Sequence, residues 1–92
     1  MEASKLIKAD GTIKEISPKN NGFFGLEELQ ELVGGYIEVI YLPSDTIMIV
    51  NEEGKLKGLP TNLNATKILY EYYKVTNILV GDVVLTSREL LK

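Results

Sequence analysis

The residues best suited to chemistry lie at positions 55–66, in a segment that reads K-L-K-G-L-P-T-N-L-N-A-T. Two cations, Lys55 and Lys57, precede a predicted helix, whose first backbone amides carry a partial positive charge. Gly58 would let a ligand approach the backbone, and Asn62 offers an amide that could recognise a base or a ribose. The segment therefore predicts a site for a small anionic or nucleotide ligand formed by Lys55, Lys57, Gly58 and Asn62.

The same segment also has a purely structural explanation. Gly54 closes a turn, Pro60 sets the chain direction before the helix, and Asn64 is a favoured N-cap residue. The two lysines would then only keep a short edge strand at positions 55–57 soluble. Neither the G-x-x-x-x-G-K-[ST] spacing of a phosphate-binding loop nor a G-x-G-x-x-G motif occurs in the chain, so both explanations remain open.

Acidic and aromatic residues suggest a second kind of site, for a protein partner. Glu27, Glu28 and Glu31 fall in one predicted helix and could contact a basic partner, although an ordinary solvated helix surface is the simpler explanation. Tyr70 and Tyr73 are candidates for a subunit interface, with partial burial in the monomer as the alternative. These features are compatible with a homo-oligomer.

Enzymatic chemistry is poorly represented in this chain, which has no cysteine and no histidine. A hydrolase that used only carboxylates would need a pair such as Glu38 and Asp82. Strand alternation predicts that Glu38 faces outward, and Gly81-Asp82 is typical of a turn or bulge. The sequence therefore predicts a non-enzymatic protein with no catalytic residues, no cofactor and no metal site.

Composition sets the class of protein. The chain has 92 residues, of which 45% are hydrophobic and 25% charged, as is typical of a single globular domain spanning residues 1–92. Its net charge of −3 argues against direct binding to nucleic acid, which needs a basic surface. No apolar run is long enough for a membrane span, so a cytoplasmic location is expected.

The first half of the chain predicts a hairpin, a helix and a second hairpin. Residues 4–8 and 12–16 flank an Asp10-Gly11 turn, and the loop at 17–25 should return Phe23 and Phe24 to the core. A short helix with Leu26, Leu29, Leu32 and Val33 on one face should stop at Gly34-Gly35. Residues 36–42 and 46–51 are rich in isoleucine and valine and predict two well-buried strands.

The second half predicts a helix and a last strand. The helix should start at Asn64, carry Ala65, Ile68, Leu69 and Tyr72 on its core face, and end near Lys74. Residues 77–86 predict a strand with a bulge at positions 81–82, and residues 87–92 a tail or a last helical turn. The resulting fold class is α+β, a two-layer sandwich of two short helices on a mainly antiparallel sheet of about five strands, in the order ββαββαβ.

Three stretches together resemble a known family, the domain of unknown function numbered 3846, which occurs in phages, mobile elements and gut bacteria. They read V-G-G-Y-I-E-V-I at 33–40, N-E-E-G-K-L-K-G-L-P at 51–60 and I-L-V-G-D-V-V-L at 78–85. The N-x-A-T element, with its spacing shifted by one, and the opening D-G-T hairpin also fit. The family signature N-E-E-G-K-x-x-G-x-P-x-N falls on Asn51, Glu52, Glu53, Gly54, Gly58, Pro60 and Asn62.

The resemblance provides no catalytic residue. It implies a small accessory protein of a mobile element, one that could counter host defence in the host cytoplasm. Two classes of function follow from the sequence as a whole. One is a non-enzymatic protein that binds or sequesters a small anionic or nucleotide ligand. The other is an inhibitor or adaptor that contacts a protein partner through its acidic helix, its tyrosines or an exposed sheet edge.

Overall fold

The computed structural model describes residues 3–19 and 21–91, which form one antiparallel five-stranded sheet and two α-helices. In chain order the elements are β1 (Ser4–Ile7), β2 (Ile13–Ile16), α1 (Leu26–Val33), β3 (Ile37–Leu42), β4 (Thr46–Asn51), α2 (Leu63–Tyr73), β5 (Val83–Ser87) and a 3-10 helix (Arg88–Leu90). The strands lie in the order β2-β1-β5-β4-β3. The α+β class and the order ββαββαβ are confirmed. Within the predicted loop and tail, Asn20 and Lys92 lie outside the described residues.

Local signals explain the first half of the fold. Gly11 adopts a φ of +98° in the turn between β1 and β2, where Ile7 pairs with Ile13. Gly34 ends α1 with a φ of +83°, and its amide donates to the Gln30 carbonyl. Each of these turns lies at the position predicted from the sequence.

The sheet is buried on both faces because β4 carries apolar side chains at consecutive positions. Ile47 and Ile49 pack with α1 in one cluster, and Met48 and Val50 pack with α2 in another. Since side chains alternate along a strand, the two helices lie on opposite faces of the sheet. The arrangement therefore differs from the predicted two layers, in that the sheet forms a middle layer between the helices.

Burial of the strands follows their place in the sheet. All but the first residue of β4 are buried, whereas β3, at the sheet edge, is mostly half-buried or exposed. The expectation that both strands are well buried is therefore confirmed only for β4. Phe24 is fully buried as predicted, whereas Phe23 is exposed.

Four predictions about the second half were wrong. Residues 55–57 form turns rather than a strand, and Leu56 is 89% exposed. The helix α2 is capped by Asn62, not by Asn64. Tyr72, predicted to face the core, is 46% exposed. The last strand is also shorter than predicted, because the chain joins the sheet only from Val83 onward.

Candidate functional site

Asn62, one of the four predicted ligand residues, lies in the interior. Its side chain is fully buried, and its Oδ1 accepts the Ala65 amide at 3.0 Å as the N-cap of α2. Its Nδ2 donates to the Ile7 carbonyl and to the Gly81 carbonyl, each at 2.8 Å. Both amide hydrogens are therefore used, and Asn62 joins α2 to β1 and to the chain leading into β5.

Lys55 lies at the surface beside a small cleft. Its Nζ is 3.4 Å from Asn77 Oδ1, and both residues line a cleft of about 180 Å³ on the α2 face of the sheet. Glu38 and Glu52 line the same cleft, so two carboxylates oppose the single ammonium group. This electrostatic balance does not favour an anion.

Lys57 lies beside a different cleft. Its Nζ is 3.8 Å from Glu53 Oε1, and it packs so closely on Gly35 that a Cβ there would lie 2.8 Å from that nitrogen. With Gln30, Gly35 and Tyr36 it lines a cleft of about 170 Å³. The exposed ion pair adds little stability, but it places a negative charge next to the cation.

Gly58 is exposed and serves the local turn. Its φ is +68°, a conformation that glycine adopts without strain, and its amide donates to the Lys55 carbonyl at 3.2 Å. No atom lies within 4 Å of the position that a Cβ would take. The four predicted residues thus do not surround a common cavity: one is buried, one is in a turn, and the two lysines line separate clefts.

A second buried asparagine, Asn51, holds the turn that follows β4. Its Nδ2 donates to the Val33 carbonyl at 3.1 Å, and its Oδ1 accepts the Glu53 amide at 2.8 Å. Gly54 is buried behind it, where a Cβ would lie 2.8 Å from Val80 Cγ2. Asn51 and Asn62, two residues of the family signature, therefore have structural roles that the pattern did not indicate, whereas Gly54 closes a turn as predicted, its amide donating to the Asn51 carbonyl at 3.2 Å.

The residues considered for other chemistry are also separated or bonded elsewhere. Glu38 is exposed, as expected, and Asp82 Oδ1 accepts the Ala9 amide at 3.0 Å. The backbone amide of Thr12 donates to the Asp10 carboxylate at 2.8 Å and lowers the pKa of that group from its usual 3.8. No cluster of three or more potential metal ligands occurs in the described part of the chain.

A groove larger than the two lysine clefts lies between α1 and the end of β2. This α1–β2 groove has a volume of about 950 Å³ and is lined by residues from three segments: Ile16, Ser17, Lys19, Gly25, Leu26, Glu27, Glu28, Glu31 and Leu32. Ile16 and Leu32 form its apolar base, because both are half-buried against the α1-side cluster. The three glutamates come from the acidic helix noted in the sequence, but their position beside β2 could not be read from the pattern.

The loop before α1 holds the groove in shape. The Lys19 amide donates to Glu28 Oε1 at 3.3 Å, and the Phe24 amide donates to the Leu90 carbonyl at 2.8 Å. Gly25 is the N-cap of α1 without a side-chain cap, so Glu27 and Glu28 lie in a first turn whose partial positive charge favours carboxylates. Leu26 is 56% exposed beside them.

Comparison with known proteins gives a family but no activity. The family model described as Domain of unknown function (DUF3846) matches residues 5–90, and the chain belongs to this family. No curated protein gave a significant match, and neither did any solved structure. Among the described helices, none has the length and apolar character needed to cross a membrane.

Proposed function

We propose that this member of the DUF3846 family is a non-enzymatic binding protein whose α1–β2 groove accepts a basic segment of a protein partner. The observation that supports the proposal is the composition of the groove, in which an apolar base adjoins three carboxylates. A segment with one apolar side chain between lysines or arginines would match both features. The inhibitor or adaptor role suggested by the acidic helix, and the mobile-element setting in the host cytoplasm that the family resemblance implies, are part of this proposal.

The negative charge of the groove indicates a basic partner. Glu27, Glu28 and Glu31 face the groove, where Lys19 is the basic residue of the lining. The whole chain also carries a net charge of −3, which would speed the approach of a cationic partner at low salt. Leu26 and Leu32 would supply apolar contact, so binding would depend on salt without being purely electrostatic.

A small anionic or nucleotide ligand is the weaker proposal. The clefts beside Lys55 and Lys57 have volumes of about 180 and 170 Å³, below the roughly 300 Å³ at which ordinary ligand pockets begin. A nucleotide at a hundred times its dissociation constant would stabilise the fold by about 2.7 kcal/mol. A thermal-shift panel of nucleotides that raises the melting temperature, with the rise lost in Lys55→Ala, would reverse the preference.

The groove can be tested with synthetic peptides. A peptide of alternating lysine and leucine, titrated into labelled protein, should shift the amide resonances of α1 and of the β2 end. An acidic peptide of the same length should leave them in place. The triple variant Glu27→Gln, Glu28→Gln, Glu31→Gln should weaken binding of the basic peptide at least tenfold, because each close charge pair contributes appreciably to association.

A matched variant separates the groove from overall charge. Glu52→Gln, Glu71→Gln, Glu89→Gln removes the same number of charges from exposed positions outside the groove. It should bind the basic peptide nearly as well as the unmodified protein. Equal weakening by both triple variants would show that the peptide responds to net charge alone, and would contradict a specific groove.

A further inference from the structure

The outer edge of β3 presents a defined row of backbone groups. The Glu52 amide donates to the Tyr36 carbonyl at 2.8 Å and so extends the β3–β4 ladder by one hydrogen-bonded pair. Hydrogen-bonded and non-bonded pairs alternate in an antiparallel ladder. It follows that Ile37, Val39 and Tyr41 direct their amides and carbonyls away from β4, toward the open edge.

One contact confirms this assignment independently. The Tyr73 hydroxyl donates to the Tyr41 carbonyl, which is accessible only if that carbonyl points away from β4. Within residues 3–19 and 21–91, the strand order places no neighbour beyond β3. Among the outward-facing amides and carbonyls of Ile37, Val39 and Tyr41, the Tyr41 carbonyl is therefore bonded to a side chain, and the others are available for pairing with another strand.

The two sheet edges differ in how well they resist pairing. The Lys8 amide donates to the Thr12 carbonyl, so these two residues form a hydrogen-bonded pair between β1 and β2. By the same alternation, the backbone amides and carbonyls of Ile13 and Glu15 point toward the open edge of β2. If two copies of β2 paired in an antiparallel manner, the two registers with the most overlap would be centred on Lys14 and on Glu15. Each register would place its central residue opposite the same residue of the other copy. Like charges in that position are destabilising, as is usual for protected edges.

The β3 edge has no such protection. Its sequence is I-E-V-I-Y-L, with a single charged residue. An antiparallel self-pairing centred on Val39 sets Ile37 opposite Tyr41 and Glu38 opposite Ile40, so no like charges meet. It would form about four backbone hydrogen bonds from groups that are free in the monomer, two from the Val39 pair and one from each flanking pair, because the Tyr41 carbonyl of each copy already accepts the Tyr73 hydroxyl. A β-branched and aromatic strand of this kind is well suited to cross-strand packing.

We propose that two copies of this chain associate through β3, in the register centred on Val39, and form one continuous ten-stranded antiparallel sheet. The partner is a second copy because the strand is complementary to itself in both hydrogen bonding and charge. Tyr41 is 56% exposed, and Tyr36 is also exposed, so both can pack across the new interface. The proposal is independent of the α1–β2 groove, to which β3 contributes no residue.

Proline substitution tests the edge directly. In Val39→Pro the missing amide belongs to the open row, so the β3–β4 ladder keeps its bonds while the centre of the dimer loses its own. Sedimentation velocity should show the unmodified protein moving with increasing concentration toward twice the 10.2 kDa chain mass. Val39→Pro should remain monomeric, with an unchanged circular dichroism spectrum.

Ile13→Pro is the matched control, since its amide faces the open edge of β2. It should dimerise like the unmodified protein. An unmodified protein that stays monomeric at every concentration would overturn the proposal. A dimer that Ile13→Pro abolishes and Val39→Pro leaves intact would overturn it as well.

Hydrogen exchange gives a measurement that needs no variant and so does not depend on Val39→Pro folding. The amides of Val39 and Tyr41, whose acceptors across the interface are free in the monomer, should gain protection as the protein is concentrated. Those of Ile13 and Glu15 should exchange at the same rate in dilute and concentrated samples. Concentration-dependent protection that is absent from the β3 row would refute the proposed interface.

Discussion

Replacement of Asn62 by alanine should be among the most destabilising single changes in this protein. The loss of an N-cap costs about 1 kcal/mol, and each buried carbonyl left without a donor costs about 1–3 kcal/mol. Asn62→Ala removes the cap of α2 and the donors to Ile7 and Gly81 together. The Ile7 carbonyl also faces Val83 in the β1–β5 ladder, so the Gly81 carbonyl is the one left without a donor. The loss of the cap and the middle of the range for that carbonyl together give an expected loss of about 3 kcal/mol in the free energy of unfolding.

Urea denaturation followed by circular dichroism measures this loss. For a chain of this size the dependence on urea is about 1 kcal/mol per molar, so the midpoint should fall by about 3 M. Asn64→Ala is the control, because the Asn64 Nδ2 is 3.5 Å from the Gly11 carbonyl and caps nothing. That variant should change the free energy of unfolding by less than about 0.5 kcal/mol.

Asn62→Asp separates the two roles of the side chain. The carboxylate can still accept the Ala65 amide, but it presents an oxygen where Nδ2 donated to the Ile7 and Gly81 carbonyls. If the donors dominate, Asn62→Asp should be at least as unstable as Asn62→Ala. An Asn62→Asp variant as stable as the unmodified protein, or an Asn62→Ala loss below about 1 kcal/mol, would refute the reasoning.

Three further changes probe the turns. Gly81→Ala should cost about 1–2 kcal/mol in a urea titration, because φ is +75° and the new Cβ would lie 2.8 Å from Leu59 Cδ1; no loss would contradict this. Asp10→Asn should remove a stabilisation that is present above pH 3.8 and is lost as the pH falls through the lowered pKa of Asp10, so the two proteins should converge in stability in acid; a constant difference would argue against it. Leu56→Ser should leave the melting temperature unchanged because that side chain is almost fully exposed, and a marked fall would imply a contact not seen here.

The sequence predicts the elements whose signals are local. The Asp10-Gly11 turn and the glycine stop of α1 depend on neighbouring residues alone, and both lie where the pattern indicates. The α+β class follows from the order of these elements. The consecutive apolar residues of β4 also indicate a strand that is buried on both faces, which is inconsistent with the two-layer prediction.

The rest depends on contacts between distant residues. Asn62 and Asn64 are equally good N-caps in sequence, and the choice is made by Ile7 and Gly81, which offer carbonyls only in the folded chain. The K-L-K alternation at 55–57 imitates a strand, but the Lys57 amide bonds to the Glu53 carbonyl and closes a turn instead. The positions of Lys55 and Lys57 likewise depend on this turn, so the sequence alone could not show that the two lysines line separate clefts.

The place of β5 in the sheet has a consequence for how the chain folds. β5 is the last strand in the sequence, yet it lies in the middle of the sheet, between β1 and β4. Until it is synthesised, the β1–β2 and β3–β4 hairpins have no common partner, and the two apolar clusters lack Val83 and Val84. The sheet therefore closes only after synthesis has passed Ser87, through contacts between sequence-distant residues that make folding slow. During that interval four strand edges are open instead of two, and a nascent chain is most exposed to mispairing with its neighbours.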